Sequence, residues 1–172
     1  MSYFYSPLRK EYKAQSTSCP FCDSEIITKQ SITDKKGIRV ENKHYIWMVN
    51  WYPRFEGHTM LVPKKHIVKI EEETTEEVVA RHELLCLVYP ILLKVYKSAG
   101  INIFLQTGEN SFSTVPHLHW HLVPEFLDAN LKGFAKMGLF DTKEPKTEKV
   151  VLFPEEIRLA REDLKKALAE FL

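Results

Sequence analysis

Apolar residues in this 172-residue chain recur with a period of about two in several short stretches and about 3.6 in two longer ones. The alternation picks out strands at Gly37–Glu41 and His44–Asn50, with an Asn42–Lys43 turn between them. Further strands are expected at His58–Pro63 and Ile101–Gln106, and a last one in the run from Val115 to Pro124. Thr74 and Glu77 form a capping box, and Leu84, Val88, Ile91 and Val95 then recur at helical spacing, so a helix is expected over Thr75–Ser98. Pro90 removes one backbone donor from that helix and should kink it or divide it in two. A second helix opens at Pro154, with Glu155 and Glu156 in its first turn. Its apolar face carries Ile157, Ala160, Leu164, Leu168 and Phe171, for packing on the body of the domain or on a second subunit.

The rest of the chain does not alternate. Residues 1–18 form an irregular, tyrosine-rich arm, a Cys-Pro-Phe-Cys knuckle follows at 19–22, and a polar stretch runs to Lys36. Residues 125–149 carry Gly133, Gly138, Pro145 and several charges, and read as an ordered loop or flap. The whole, 1–172, is expected to be one domain, with the arm and knuckle at 1–36 and the flap and closing helix at 125–172.

Within the last strand stand three histidines at alternate positions, His117, His119 and His121. Alternation along a strand puts three imidazoles on one face and Leu118, Trp120 and Leu122 on the other. Crowded imidazoles depress one another's pKa, so the row offers unprotonated nitrogens near neutral pH. Those nitrogens can serve as nucleophiles, general bases or metal ligands.

Composition narrows the partners. A formal charge of +1 and 27% charged residues exclude a broad basic surface, so no extended nucleic acid is expected. No stretch is apolar enough to suggest a membrane span, and a cytoplasmic setting is expected. Three cysteines fit it: Cys86 falls in the apolar helical pattern as a small core residue, and Cys19 with Cys22 could be a redox dithiol, half of a zinc site or a turn.

A second block changes the reading. Residues 49–66 contain Val-Asn, then Gly57-His58 with an apolar strand behind it, then Pro63-Lys64-Lys65-His66. With the Cys-x-x-Cys pair upstream and His-x-His-x-His downstream, this ordered set resembles the histidine-triad (HIT) family of nucleotide hydrolases and transferases over about residues 19–124. The resemblance implies an α+β fold, an antiparallel sheet of about five strands with a main helix and a C-terminal helical extension. It implies a homodimer and a small-molecule nucleotide substrate.

Carried over residue by residue, the resemblance makes His119 the nucleophile that attacks the α-phosphorus and forms a nucleotidyl-histidine intermediate. His121 and His58 would lie beside the phosphate, and backbone carbonyls of the triad strand would fix the tautomer of His119. Asn50 would bind the ribose hydroxyls, with Ile46, Met48 and Trp51 around it as an apolar slot for the base or as plain core. Gln106, Ser113 and Thr114 would face the phosphates or the leaving group. Cys19, Cys22, His66 and His117 would hold a structural zinc, with His44, taken as exposed, and His82, on the helix surface, as competing ligands. Lys64 and Lys65 read as a solvated pair.

Three departures from the family pattern bear on substrate preference. Phe112-Ser113-Thr114 replaces the usual Gly-Gln-Ser/Thr, Glu125 follows Pro124 where many members carry Arg, and Trp120 is bulky. The long C-terminal segment and the Val-Asn-x-x-Pro spacing lean toward cleavage of dinucleoside polyphosphates such as diadenosine tetraphosphate. A phosphorylase, nucleotidyltransferase, phosphoramidase or non-catalytic zinc-stabilised nucleotide-binding module would use the same residues.

Overall fold

The computed structural model describes residues 3–4, 18–33, 36, 39–50, 53, 55–108, 111, 113–127, 149–150 and 154–171. Trp51, Phe112 and most of the expected flap, 128–148, lie outside them. In chain order the elements are β1 (Tyr3–Phe4), α1 (Ser24–Gln30), β2 (Tyr45–Val49), β3 (Thr59–Pro63), a 3-10 turn (Ile70–Glu72), α2 (Thr75–Tyr96), β4 (Gly100–Leu105), β5 (Trp120–Glu125), β6 (Lys149–Val150) and α3 (Pro154–Phe171).

The main sheet has four antiparallel strands in the order β2-β3-β5-β4, and β1 pairs with β6 as a separate short parallel ribbon. The fold is α+β, as expected. The strand expected at Gly37–Glu41 is absent among the described residues. Instead, isolated bridges join Thr33 to Arg39 and Glu41 to Ile46. The Asn42 turn is present: its Oδ1 accepts from the amides of His44 and Tyr45 and starts β2.

Pairing register sets the two faces. Met48, Met60, His121 and Phe104 form one row across the sheet, and Trp47, Leu61, Trp120 and Leu105 form the next row on the opposite face. Trp47, Leu61 and Leu122 pack with Leu84, Val88, Ile91 and Leu92 of α2 and with Leu164, Ala167 and Leu168 of α3. The other face carries a smaller cluster of Phe21, Ile46, Met48, Met60 and Val62. Helices α2 and α3 cover one face, and His121 lies on the other, where α1 also packs through Ile27.

The capping box of α2 is formed in both directions: Thr74 Oγ1 accepts from the Glu77 amide, and Glu77 Oε2 accepts from the Thr74 amide. Of the two outcomes expected at Pro90, division does not occur: one helix runs from Thr75 to Tyr96. Val88, Ile91 and Leu92 around the proline have no exposed surface, and this burial outweighs the one lost bond. Cys86 was expected in the core but is exposed, because the buried stripe runs through Leu84 and Val88 instead. His82 is exposed, as expected, and lies next to it. His44, expected to be exposed, keeps only 19% of its side-chain surface, because it leans on Glu76.

A buried polar network lies under the sheet. The Glu73 carboxylate accepts from the Tyr45 hydroxyl and pairs with Arg81 at 3.2 Å. The Arg81 guanidinium lies 4.0 Å over the Trp120 ring. Trp120, between two triad histidines, thus packs toward a helix. No helix among the described residues is long and apolar enough to cross a membrane.

Candidate active site and metal centre

The histidine run is not one continuous strand. Pro116 cannot donate to a ladder, and the Leu118 amide donates to Ile67 O at 2.6 Å, so regular pairing begins only at Trp120. His117 and His119 sit on the irregular lead-in, and His121 sits in β5. All three are buried, as is His58.

Hydrogen bonds to carbonyls, which only accept, fix two tautomers. His119 Nδ1–H donates to His117 O at 2.7 Å, which leaves Nε2 as the nitrogen with a free electron pair when the ring is neutral. Burial lowers the His119 pKa and favours that neutral form. His117 Nε2–H donates to Pro63 O at 2.9 Å, so its electron pair is on Nδ1. Burial, with smaller contributions from neighbouring His66 and His119, pushes the His117 pKa down to about 4 against the opposing pull of that carbonyl.

His117 Nδ1 points into the knuckle, 3.3 Å from Cys19 Sγ and 3.5 Å from Cys22 Sγ, and His66 Nδ1 lies 3.3 Å from Cys22 Sγ. The four donor atoms lie within 4.8 Å of one another. A tetrahedral ion with bonds of about 2.3 Å to sulfur and 2.0–2.1 Å to nitrogen separates S from N by about 3.5 Å, so the donor set fits zinc. Both competing histidines are elsewhere: His44 is on Glu76, and His82 is beside Cys86 on α2.

On the other side of the run, His119 and His121 meet edge to face, with ring centroids 4.7 Å apart. His58 Nε2 lies 2.9 Å from His121 Nδ1, and Asn50 Nδ2 lies 3.2 Å from His58 Nε2. Gly57 seats His58. Its φ is +73°, and an added Cβ would come within 2.7 Å of Pro124 Cγ and 2.9 Å of the Tyr96 ring. The Gly-His pair and the proline after the triad are therefore packed directly together.

Met48 has no accessible surface and packs with Phe21, Ile46, Met60 and Val62. Gln106 lies partly buried just past the end of β4. Ser113 and Thr114 are exposed, and the Ser113 hydroxyl donates to Val115 O at 3.1 Å. Lys64 and Lys65 reach Glu41 and Glu77.

Two aromatic rings escaped the sequence reading. Phe21, bracketed by the cysteines, sits edge-on to His117 at 5.6 Å and tilted against His119 at 5.1 Å. Phe104 stacks on His121 at 4.7 Å with a 20° angle between planes. The spacing of Cys-Pro-Phe-Cys could have flagged the first, and the β4–β5 register makes the second.

The HIT domain, as a family, matches residues 33–127, a span that begins after the cysteine knuckle. The chain is 34% identical over 122 residues to an uncharacterised HIT-like protein of Mycoplasma genitalium, covering 71% of this chain and 82% of that one. It is 29% identical over 87 residues to the bis(5'-adenosyl)-triphosphatase of Saccharomyces cerevisiae, covering half of this chain and 42% of that enzyme. Its fold resembles that of a Zn-bound histidine triad family protein from Mycobacterium smegmatis, with a TM-score of 0.62, 24% identity and coverage of 90% and 95%.

Proposed function

The chain belongs to the HIT family, and from that premise we propose that it is a nucleotide hydrolase acting on dinucleoside polyphosphates through a nucleotidyl-His119 intermediate. The observation that carries this reading is the His119 Nδ1–H bond to His117 O, which reserves Nε2 for attack. The likeness to a bis(5'-adenosyl)-triphosphatase supports the substrate class.

In the first step the Nε2 electron pair forms a bond to the α-phosphorus while the bond to the bridging oxygen breaks, and the remaining polyphosphate leaves with that bond's electrons. The ring then carries positive charge, which the Nδ1–H bond to the His117 carbonyl stabilises. His121, edge-on to His119, is placed to hydrogen-bond the phosphoryl oxygens and to pass a proton to the leaving oxygen. Water then attacks the same phosphorus, the N–P bond breaks and AMP is released. Ser113 and Thr114 at the rim would meet the leaving group, Gln106 the phosphates, and Asn50 the ribose.

We place a structural zinc on Cys19, Cys22, His66 and His117. Four protein donors leave no open coordination position, so the ion would brace the knuckle and the triad lead-in. The protein is further read as a homodimer joined through the β4 edge.

Incubation with diadenosine tetraphosphate, with and without inorganic phosphate, tests the activity. Wild type should give AMP and ATP, and His119→Ala should lose turnover by a factor of about 10³ or more along with the covalent adduct. Phosphate-dependent ADP would make the acceptor phosphate instead of water. Turnover that survives His119→Ala would sink the mechanism.

A further inference from the structure

The proposed chemistry leaves the buried charges on the helix side of the sheet unused, yet they lie against the strand that carries the histidines. Glu73 immediately precedes the cap of α2, and Arg81 stands about two turns further on in the helix. Their side chains keep only 2% and 16% of their surface. Arg81 Nε donates to Glu73 Oε1 at 3.2 Å, and the Tyr45 hydroxyl donates to the same oxygen. A buried ion pair is a weak source of stability, because the loss of hydration offsets most of the attraction. What this pair has is direction. Tyr45 holds Glu73, Glu73 holds Arg81, and the guanidinium lies over the face of Trp120, 4.0 Å from the ring centre.

Trp120 is where β5 enters the sheet. Its pairs with Leu61 and Leu105 are the end pairs of both ladders, and the residues before it run outside them. An end pair is the first to open in a local fluctuation. The indole N–H has no acceptor among the described residues, so stacking and apolar packing set the ring. His121 lies on the opposite face of the sheet, and His119, outside the ladder, meets it edge to face. We propose that Arg81 is a positioning residue: held by Glu73, it clamps Trp120 from the helix side, keeps the end pair of β5 closed and so fixes the direction in which His119 and His121 are presented.

The effect on turnover rests on the nucleotidyl-transfer reading, and the clamp itself does not. Replacing Arg81 alone would strand the Glu73 carboxylate in the interior, so the two charges are removed together. Glu73→Gln/Arg81→Met does this: the new amide oxygen can still accept from Tyr45, and the thioether chain can still cover the ring without a cation. Trp120→Leu removes the π face instead.

The full chain is compared as wild type, Glu73→Gln/Arg81→Met, Trp120→Leu and the combination of all three. Turnover of diadenosine tetraphosphate is one reading, and solvent exchange of the His119 Nδ1–H proton in ¹⁵N-histidine spectra is the other. Glu73→Gln/Arg81→Met should lower kcat about tenfold with KM within about twofold, and should speed that exchange by a similar factor. Added to Trp120→Leu, the same pair should change kcat by less than about twofold, because the clamp is already lost. The proposal is overturned if Glu73→Gln/Arg81→Met keeps either the wild-type kcat or the wild-type exchange rate, as an ion pair serving stability alone would, or if the losses multiply in the combination. If Trp120→Leu does not fold, the first comparison decides. A wild type without turnover defeats the nucleotide reading, and exchange at His119 then decides the clamp by the same criterion.

Discussion

His117 joins the cysteine knuckle to the lead-in of the histidine strand. Its ring hydrogen-bonds Pro63 O through Nε2 and turns Nδ1 to the cysteines, while its own carbonyl orients His119. A metal ligand whose second nitrogen is held by a carbonyl is fixed in direction and tautomer. Because burial keeps the ring neutral, a cation at neutral pH has no proton to displace there. Burial also pushes the Cys19 thiol up to about 11, so in the absence of a cation that sulfur stays protonated. On the geometry of the four donors, purified protein should carry one zinc per chain, measured by atomic emission. With free zinc at about a hundred times Kd, the ion adds about 2.7 kcal/mol to folding stability, and chelation should lower the Tm accordingly. His66→Ala should lose the metal and show the lower Tm without chelator. An unchanged Tm after chelation would remove the metal from the account.

At the scale of elements, the hairpin from β2 to β3 and the start of β5 meet at Gly57. Alanine there would have to hold a left-handed backbone, at about 1–2 kcal/mol, and would also collide with Pro124 and Tyr96. Gly57→Ala should cost more than about 2 kcal/mol in denaturant unfolding and should lower kcat by displacing His58. Retention of both wild-type stability and wild-type kcat would show that the contact is not needed. The Gly-His pair was legible in the sequence, but its reason was not, because Tyr96 and Pro124 approach only once α2 and β5 are packed. The same limit explains other departures. Strands β2, β3 and β4 and the α2 capping box follow from local pattern, and the fold matched expectation there. The isolated bridges at Arg39 and Glu41 in place of a regular strand among the described residues, the undivided helix at Pro90 and the exposed Cys86 depend on what packs where. The helix Ser24–Gln30, capped by Asp23, went unread inside a polar stretch because its few apolar residues give a weak period. The clustering of Cys19, Cys22, His66 and His117 was legible through the family resemblance, and the His58–His121 contact was not.

At the scale of the whole molecule the two edges of the main sheet differ. The β2 edge is partly covered, through the bridge from Ser31 to Met48 and the one from Glu41 to Ile46. Beyond β4, by contrast, no further strand pairs among the described residues, and Ile103 in the middle of it is 40% exposed. An apolar edge of this kind is a template for another strand, and natural sheets leave one open chiefly when something fills it. A second copy fits, since two antiparallel β4 edges can join around a twofold axis into one eight-stranded sheet. The histidine row lies close to such a joint, because Phe104 of β4 is the ring stacked on His121. Pairing at the edge would therefore hold Phe104, and through it His121, in place. Sedimentation of wild type at micromolar concentration should give twice the 20.1 kDa chain mass. Ile103→Lys puts a charge at the centre of the edge and should yield monomers that still bind one zinc but turn over more slowly. A wild type that sediments as a monomer, or an Ile103→Lys protein that remains a dimer, would mean that β4 is not the joint.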